Sequence, residues 1–309
     1  MAAPDWIDAD QVRARMSPDR ARRLLHEALV SGFDPADDPP RTATPAGAGH
    51  FLLMPSTVGE LSGVKVLSVA PGNPDLGLPR IQGLYVLLDA ATLTPTTLID
   101  AASLTHLRTP AVSMVGVDAL CAEQVDTVVF IGSGPQTVSH AEALLAIRRP
   151  RRALLHSRDT AHASAAAQQV TELGLPCAAV ARDGLAEAVG AADLVVICTS
   201  ASEPVIDGSW VADGACVVAI GAHEPDKREL DAALVGRSLV VVEETDTALR
   251  EAGDVVLAIE DGTLHRGDLH TMRQLVLGEV SRATDRPNVF KTVGMGWQDL
   301  VVASGVALH

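Results

Sequence analysis

The polar and apolar positions of the chain fall into two regimes. Up to about residue 100 the apolar stretches are short and separated by turn chemistry, whereas beyond residue 124 they become continuous. In the first regime, Ser17-Pro18-Asp19 precedes Leu24, Leu25, Ala28 and Leu29 and ends at Gly32. A serine N-cap, a proline at the first helical position and an i, i+4 apolar stripe predict a helix there. Residues 34–48 are rich in Pro, Asp and Ala and predict a loop. Short strands are expected at 50–54, 63–69, 84–89 and 96–99, divided by turns such as Pro71-Gly72-Asn73-Pro74. Clustered strands with short links predict a mostly antiparallel sheet in an α+β domain.

A long helix over about 100–120 separates this part from the second regime. There a fully apolar strand at 125–131 runs into Gly132-Ser133-Gly134-Pro135-Gln136 and a helix over about 137–147. Further apolar strands are expected at 153–156, 194–198, 216–220 and 239–242, with helices between several of them. Strands that are apolar on both faces and alternate with helices predict a parallel sheet covered on both sides. The fold class is therefore α/β, a Rossmann-like parallel-sheet domain joined to an α+β domain. At 309 residues the chain has length enough for two cores.

Composition narrows the setting. No apolar run approaches the ~18 residues of a membrane helix, and the acidic first ten residues lack the basic start of a signal peptide. A net charge of −15 speaks against sequence-independent nucleic-acid binding, which needs a basic surface. Cys121, Cys177, Cys198 and Cys216 show no metal-ligand spacing and predict reduced thiols in a cytoplasmic protein, with no metal site. Of the 24 basic side chains only Lys65, Lys227 and Lys291 are lysines. A chain that otherwise uses arginine for surface charge has a reason for each lysine.

The glycine turn carries the first chemical signal. Gly132 permits a tight turn and Gly134 lets a pyrophosphate approach the helix N-terminus. Thr137 stands where a third glycine or an alanine is usual. The next strand ends in Ser157-Arg158-Asp159. An arginine at this tip can pair with a 2′-phosphate, which favours NADP(H) over NAD(H), while Asp159 keeps NAD(H) open. In the first domain, period-2 alternation puts Lys65 on the face opposite Val64 and Val66. Arg41 and Arg108 add two further cations in the same domain.

These segments, together with Leu53-Met54-Pro55, Gln82-Gly83, Leu104-Thr105-His106-Leu107-Arg108-Thr109, Gly221-Ala222-His223-Glu224-Pro225-Asp226, Arg228-Glu229-Leu230 and Val293-Gly294-Met295 to Asp299, resemble the ornithine cyclodeaminase/mu-crystallin family in sequence and order. The resemblance implies a homodimer whose first domain, residues 1–118 with a returning C-terminal helix at 294–309, binds substrate and carries the dimer interface. Residues 119–293 would bind the dinucleotide. It further implies that Arg41, Lys65 and Arg108 hold a substrate carboxylate. Arg108, Thr109, Gly132, Gly134, Pro135, Gln136, Ser157 and Arg158 would meet the cofactor. Two departures bear on the reaction. Cyclodeaminases carry a glutamate and an aspartate where this chain has Leu52 and His223, and a leucine cannot move a proton. Lys65 and His223 are then the candidate catalytic groups for an NAD(P)H-dependent reduction of a cyclic or substituted ketimine to an amino acid. The alternatives are alanine or another amino-acid dehydrogenase, a cyclodeaminase, and a non-catalytic NADP(H)-dependent binding protein.

Overall fold

The computed structural model describes residues 3–308, which divide into two compact units: residues 3–112 with 294–308, and Ser113–Val293. The first unit opens with β1 (Asp5–Ile7), α1 (Ala9–Arg15) and α2 (Pro18–Val30). Ser17 caps α2, its Oγ accepting the Arg20 N–H, and Ala21, Leu25 and Leu29 form the buried stripe. Then follow β2 (Thr42–Ala46), β3 (Gly49–Val58), β4 (Leu61–Val69), β5 (Ile81–Asp89) and β6 (Pro95–Asp100). They form a six-stranded sheet in the order β1-β6-β5-β4-β3-β2, antiparallel except for the β1–β6 pair.

The expectation of a plain loop over 34–48 is corrected here. That stretch holds a single 3-10 turn, Pro35–Asp37, and the edge strand β2. Four of the five β2 residues are exposed and the strand includes Pro45, so no alternation marks it. Its pairing with β3 holds it in place.

The unit boundary falls inside α3 (Ala101–Leu120). Beyond it come β7 (Thr127–Ile131), α4 (Pro135–Leu145), β8 (Arg152–His156), α5 (Thr160–Glu172), β9 (Cys177–Ala179), α6 (Leu185–Gly190), β10 (Leu194–Ile197) and β11 (Cys216–Ala219). After α7 (Ala232–Arg237), β12 (Leu239–Val242), α8 (Thr245–Glu251) and α9 (Gly253–Glu260) come β13 (Leu269–Thr271), α10 (Met272–Val276) and β14 (Asn288–Lys291). The eight strands are all parallel, in the order β13-β12-β14-β11-β10-β7-β8-β9. β7, β10, β11, β12 and β14 are buried at every position, as a sheet covered on both faces requires. The strands β9 and β13 are only three residues long and β14 contains Asn288 and Lys291, and none of the three was among the expected strands.

The chain ends in α11 (Gly296–Ala307), which belongs to the first unit and contacts α2, β3, β4 and β5 there. All but one of its twelve residues are buried. An acid inside so apolar a helix needs a partner, and this one has two.

Candidate active site

In the first unit, β4, α3 and α11 bring three charges into contact. Lys65, on the buried face of β4, points its Nζ to within 2.7 Å of Asp299 Oδ2, with 1% of the lysine side chain exposed and none of the carboxylate. Arg108 Nε donates to the other oxygen, Oδ1, at 3.0 Å, and Arg108 Nη1 donates to Gln298 Oε1 at 3.2 Å. The same Gln298 oxygen accepts the Met295 N–H at 3.1 Å, which caps the start of α11. Gly294 makes room for the arginine. Its φ is +81°, and a Cβ there would stand 2.5 Å from Arg108 Nη1.

The surroundings set the charges. Burial, with help from Arg108, pulls the Lys65 amine down to about 8, while Asp299 holds it up and Arg41 adds a further push downward. Arg41 and Arg108 thus both act on Lys65, which shares the Asp299 carboxylate with Arg108. A buried surplus of positive charge is costly by itself, and it favours an arriving anion. Moving an amine from 10.5 to about 8 costs its charged form about 3 kcal/mol relative to water.

A second acid sits beside α11. Asp38 accepts the Trp297 N–H at 3.0 Å and the Ser56 hydroxyl at 2.5 Å, and burial pushes its carboxyl up to about 6. Tyr85, opposite Lys65 in the β4–β5 register, is fully buried and its hydroxyl has no hydrogen-bond partner. Burial and the negative charges of Asp299 and Asp38 push its phenol up. The ring lies across Gly63, where a Cβ would come within 2.4 Å of the Tyr85 hydroxyl oxygen. Trp297 packs on Phe33 with ring centroids 5.3 Å apart, a core contact. Sequence reading gave Asp299, Gln298, Asp38 and Tyr85 no role. The signal for Asp299 was its place in an otherwise apolar helix; Asp38 carried none.

The second unit holds the remaining predicted residues. Gly132 follows β7 with φ +113°, and a Cβ there would stand 2.3 Å from the Cys198 carbonyl at the end of neighbouring β10. Thr137 explains its own presence by donating its hydroxyl to the Gly132 carbonyl at 3.0 Å. Gly134 is the N-cap of α4, with no side-chain cap, and nothing lies within 4 Å of where its Cβ would be. Pro135 occupies the first turn of α4 and Gln136 follows it. An uncapped helix N-terminus behind a glycine turn, at the point where strand order reverses between β7 and β10, fits a pyrophosphate. By contrast Asp159 caps α5, its Oδ1 accepting from Ala161 N and His162 N at 2.8 and 2.9 Å. Ser133 donates to Ser157 at 3.0 Å, and Arg158 is exposed. His223 is exposed after β11 and donates its Nδ1–H to the Gly221 carbonyl at 2.8 Å. Lys65, Arg41 and Arg108 are therefore brought together in the first unit, where half-buried Thr109 follows Arg108 on α3. The glycine turn, Ser157, Arg158 and His223 belong to the second. Among the described residues no cluster of three or more His, Cys, Asp or Glu is placed to hold a metal.

Comparison with known proteins follows the same lines. A family model described as the ornithine cyclodeaminase/mu-crystallin family matches residues 8–307. A Delta(1)-pyrroline-2-carboxylate reductase from Bacillus cereus is 34% identical over 259 residues, covering 82% of this chain and 79% of the relative. The solved structure of a Thermococcus litoralis Delta(1)-pyrroline-2-carboxylate reductase with NADH and L-proline superposes with a TM-score of 0.91 at 26% identity, covering 97% of this chain and 95% of the other. An archaeal alanine dehydrogenase dimer with bound NAD gives a TM-score of 0.90 at 25% identity over 98% and 94% of the two chains.

The depressed Lys65 amine makes a signed prediction. Its folded value lies below its unfolded one, so the unfolded chain holds more protons between about 8 and 10.5 and stability rises with pH across that window. The unfolding free energy of the wild type, relative to that of Lys65→Met, should rise by on the order of 2 kcal/mol from pH 8 to pH 10. Denaturant titration at each pH reads this, and a flat difference would mean that Lys65 titrates normally.

Proposed function

This chain belongs to the ornithine cyclodeaminase/mu-crystallin family, and we propose that it reduces a cyclic ketimine acid of the 1-pyrroline-2-carboxylate type to the amino acid with NADPH. It is an oxidoreductase acting on carbon–nitrogen bonds, with an NAD(P)-binding Rossmann-like unit. The observation that carries the substrate reading is the buried pair Lys65 and Arg108, two cations that share the single carboxylate of Asp299, with half-buried Arg41 close enough to act on Lys65.

In this reading the substrate carboxylate adds the missing negative charge. Lys65 and Arg108 fix it, because Asp299 holds each cation by one oxygen and leaves neither free to swing. A fixed carboxylate orients the adjacent imine carbon, and orientation of this kind supplies much of the rate. When bound, the reduced dinucleotide supplies the hydride that the imine carbon takes up. The residues of the second unit that would hold it are Gly132, Gly134, Pro135, Gln136, Ser157 and Arg158, and the family resemblance adds Arg108 and Thr109. The imine nitrogen gains a proton, from Lys65, whose amine sits at about 8, or from His223, an imidazole able to exchange protons near neutrality. Neither Leu52 nor His223 supplies the carboxylate of a cyclodeaminase. Likeness to the alanine dehydrogenase supports a second reading, reversible amination of pyruvate.

The NADPH preference rests on the strand tip after β8. Asp159 spends its carboxylate on the α5 cap, which leaves the ribose 2′ position to Ser157 and Arg158, although the Thermococcus relative was solved with NADH. The cytoplasmic setting is part of the same reading and is supported by the free cysteines, Cys121 and Cys216 among them. A homodimer is supported by the outer face of the first unit's sheet, where Leu53, Val64, Val66 and Val86 are half-buried and Phe51 and Leu84 are 47% and 40% exposed. A contiguous apolar face of this kind normally meets a partner.

Two measurements test the proposal. Purified protein should oxidise NADPH with 1-pyrroline-2-carboxylate, and NADH more weakly, and Arg158→Ala should erase the preference for NADPH. No turnover on this substrate, with turnover on pyruvate and ammonia, would install the dehydrogenase reading instead. Light scattering should give twice the chain mass at micromolar concentration, and Leu84→Arg should halve it; a monomeric wild type would contradict the dimer.

A further inference from the structure

The second unit buries a carboxylate to which no role has so far been given. Glu229 is fully buried and accepts four donors from two neighbouring loops. Its Oε1 takes the Thr199 N–H at 3.1 Å and the Thr199 hydroxyl at 2.5 Å, from the loop after β10. Its Oε2 takes the Gly221 N–H at 2.6 Å and the Ala222 N–H at 3.3 Å, from the loop after β11. Those two strands are adjacent and parallel, and ligands of such sheets bind beyond the carboxyl ends of the strands.

Gly221 is shaped for this contact. A Cβ on it would stand 2.1 Å from the Thr199 carbonyl oxygen and 2.5 Å from Glu229 Oε1, so only glycine lets the carboxylate in. The acid is itself held from behind. Asp254 Oδ1 accepts the Glu229 and Leu230 N–H groups at 2.7 and 2.8 Å, and its Oδ2 lies 3.0 Å from the Lys291 amine, both side chains 1% exposed. Burial raises the Glu229 carboxyl, while Lys291 and the donors from Thr199 and Gly221 draw it back. Three buried ionisable groups devoted to two loop backbones are an expensive arrangement for stability alone.

The link to chemistry runs through Gly221. Its N–H is fixed by Glu229, and its carbonyl accepts the Nδ1–H of His223 at 2.8 Å. A carbonyl can only accept, so this bond places the neutral ring's proton on Nδ1 and makes Nε2 the acceptor. We propose that Glu229 is the positioning residue of the site: by clamping the Gly221 backbone it sets the orientation and tautomer of His223, and so directs Nε2. The inference rests on the reading of His223 as a proton-exchanging group.

The test needs no turnover. Histidine-selective 15N spectra of the full-length protein near pH 8, with His223→Ala identifying the resonance, should show His223 mainly protonated on Nδ1. In Glu229→Gln, where one acceptor oxygen becomes a donor, the ring should revert to mainly Nε2-protonated. An unchanged tautomer in a folded Glu229→Gln protein overturns the proposal. If that variant does not fold, Glu229→Asp, which keeps the charge and withdraws the carboxylate by one methylene, is read the same way. A double-mutant cycle on imine reduction adds the functional half. Glu229→Gln should lower kcat about tenfold or more in the wild type and less than about threefold in His223→Ala. Equal losses in both backgrounds would make Glu229 merely structural. A tautomer change in a protein that reduces no imino acid would leave the clamp standing and remove the reaction.

Discussion

The contact between Asp299 and its two cations is the constraint on which the first unit is organised. A lysine on a strand, an arginine on a helix and a carboxylate on the last helix are each unaffordable alone in a dry interior. Together they fix β4, α3 and α11 against slippage, because any shift would strand a charge. Gly294 and the Gln298 cap belong to the same constraint, since both shape the turn from which α11 presents Asp299. Lys65 and Arg108 share the one Asp299 carboxylate, and burial, with Arg108 and Arg41 beside it, lowers the basicity of Lys65.

The second unit solves a different problem with the same means. Its glycine turn leaves a helix N-terminus uncapped, while α5, α7 and α8 each receive an acidic side chain at theirs. Helices α6 and α9 also lack a side-chain cap, but only α4 combines an uncapped start with the glycine turn at the topological switch, the place where a pyrophosphate fits. Glu229 then braces two adjacent strand-end loops from below.

Much of this was legible in the sequence. The Ser17-Pro18 start, the alternating strands of the first unit and the apolar strands of the second reflect local periodicity, which tertiary packing did not override. Lys65 was readable from alternation and from the rarity of lysine. What was not legible depends on long-range partners. Asp38 sits in a stretch of Pro, Asp and Ala, and its partners are the Ser56 hydroxyl and the Trp297 N–H, the latter 259 positions away. Strand β2 buries none of its side chains, and β14 breaks its apolar run with Asn288 and Lys291, whose partners Ala283, Ala215 and Asp254 no window of sequence could supply. Asp159 kept NAD(H) open in the sequence; its hydrogen bonds make it the cap of α5.

The central claim is that a substrate carboxylate binds to a protonated Lys65 held by Asp299. The most direct measurement is calorimetric binding of pyrrole-2-carboxylate, a planar analogue that does not titrate between pH 6.5 and pH 9.5, to the NADPH-saturated protein across that range. Affinity should be level below about pH 8 and weaken by up to roughly tenfold per pH unit above it. Affinity independent of pH up to 9.5, or binding undiminished in Lys65→Met, would contradict the account.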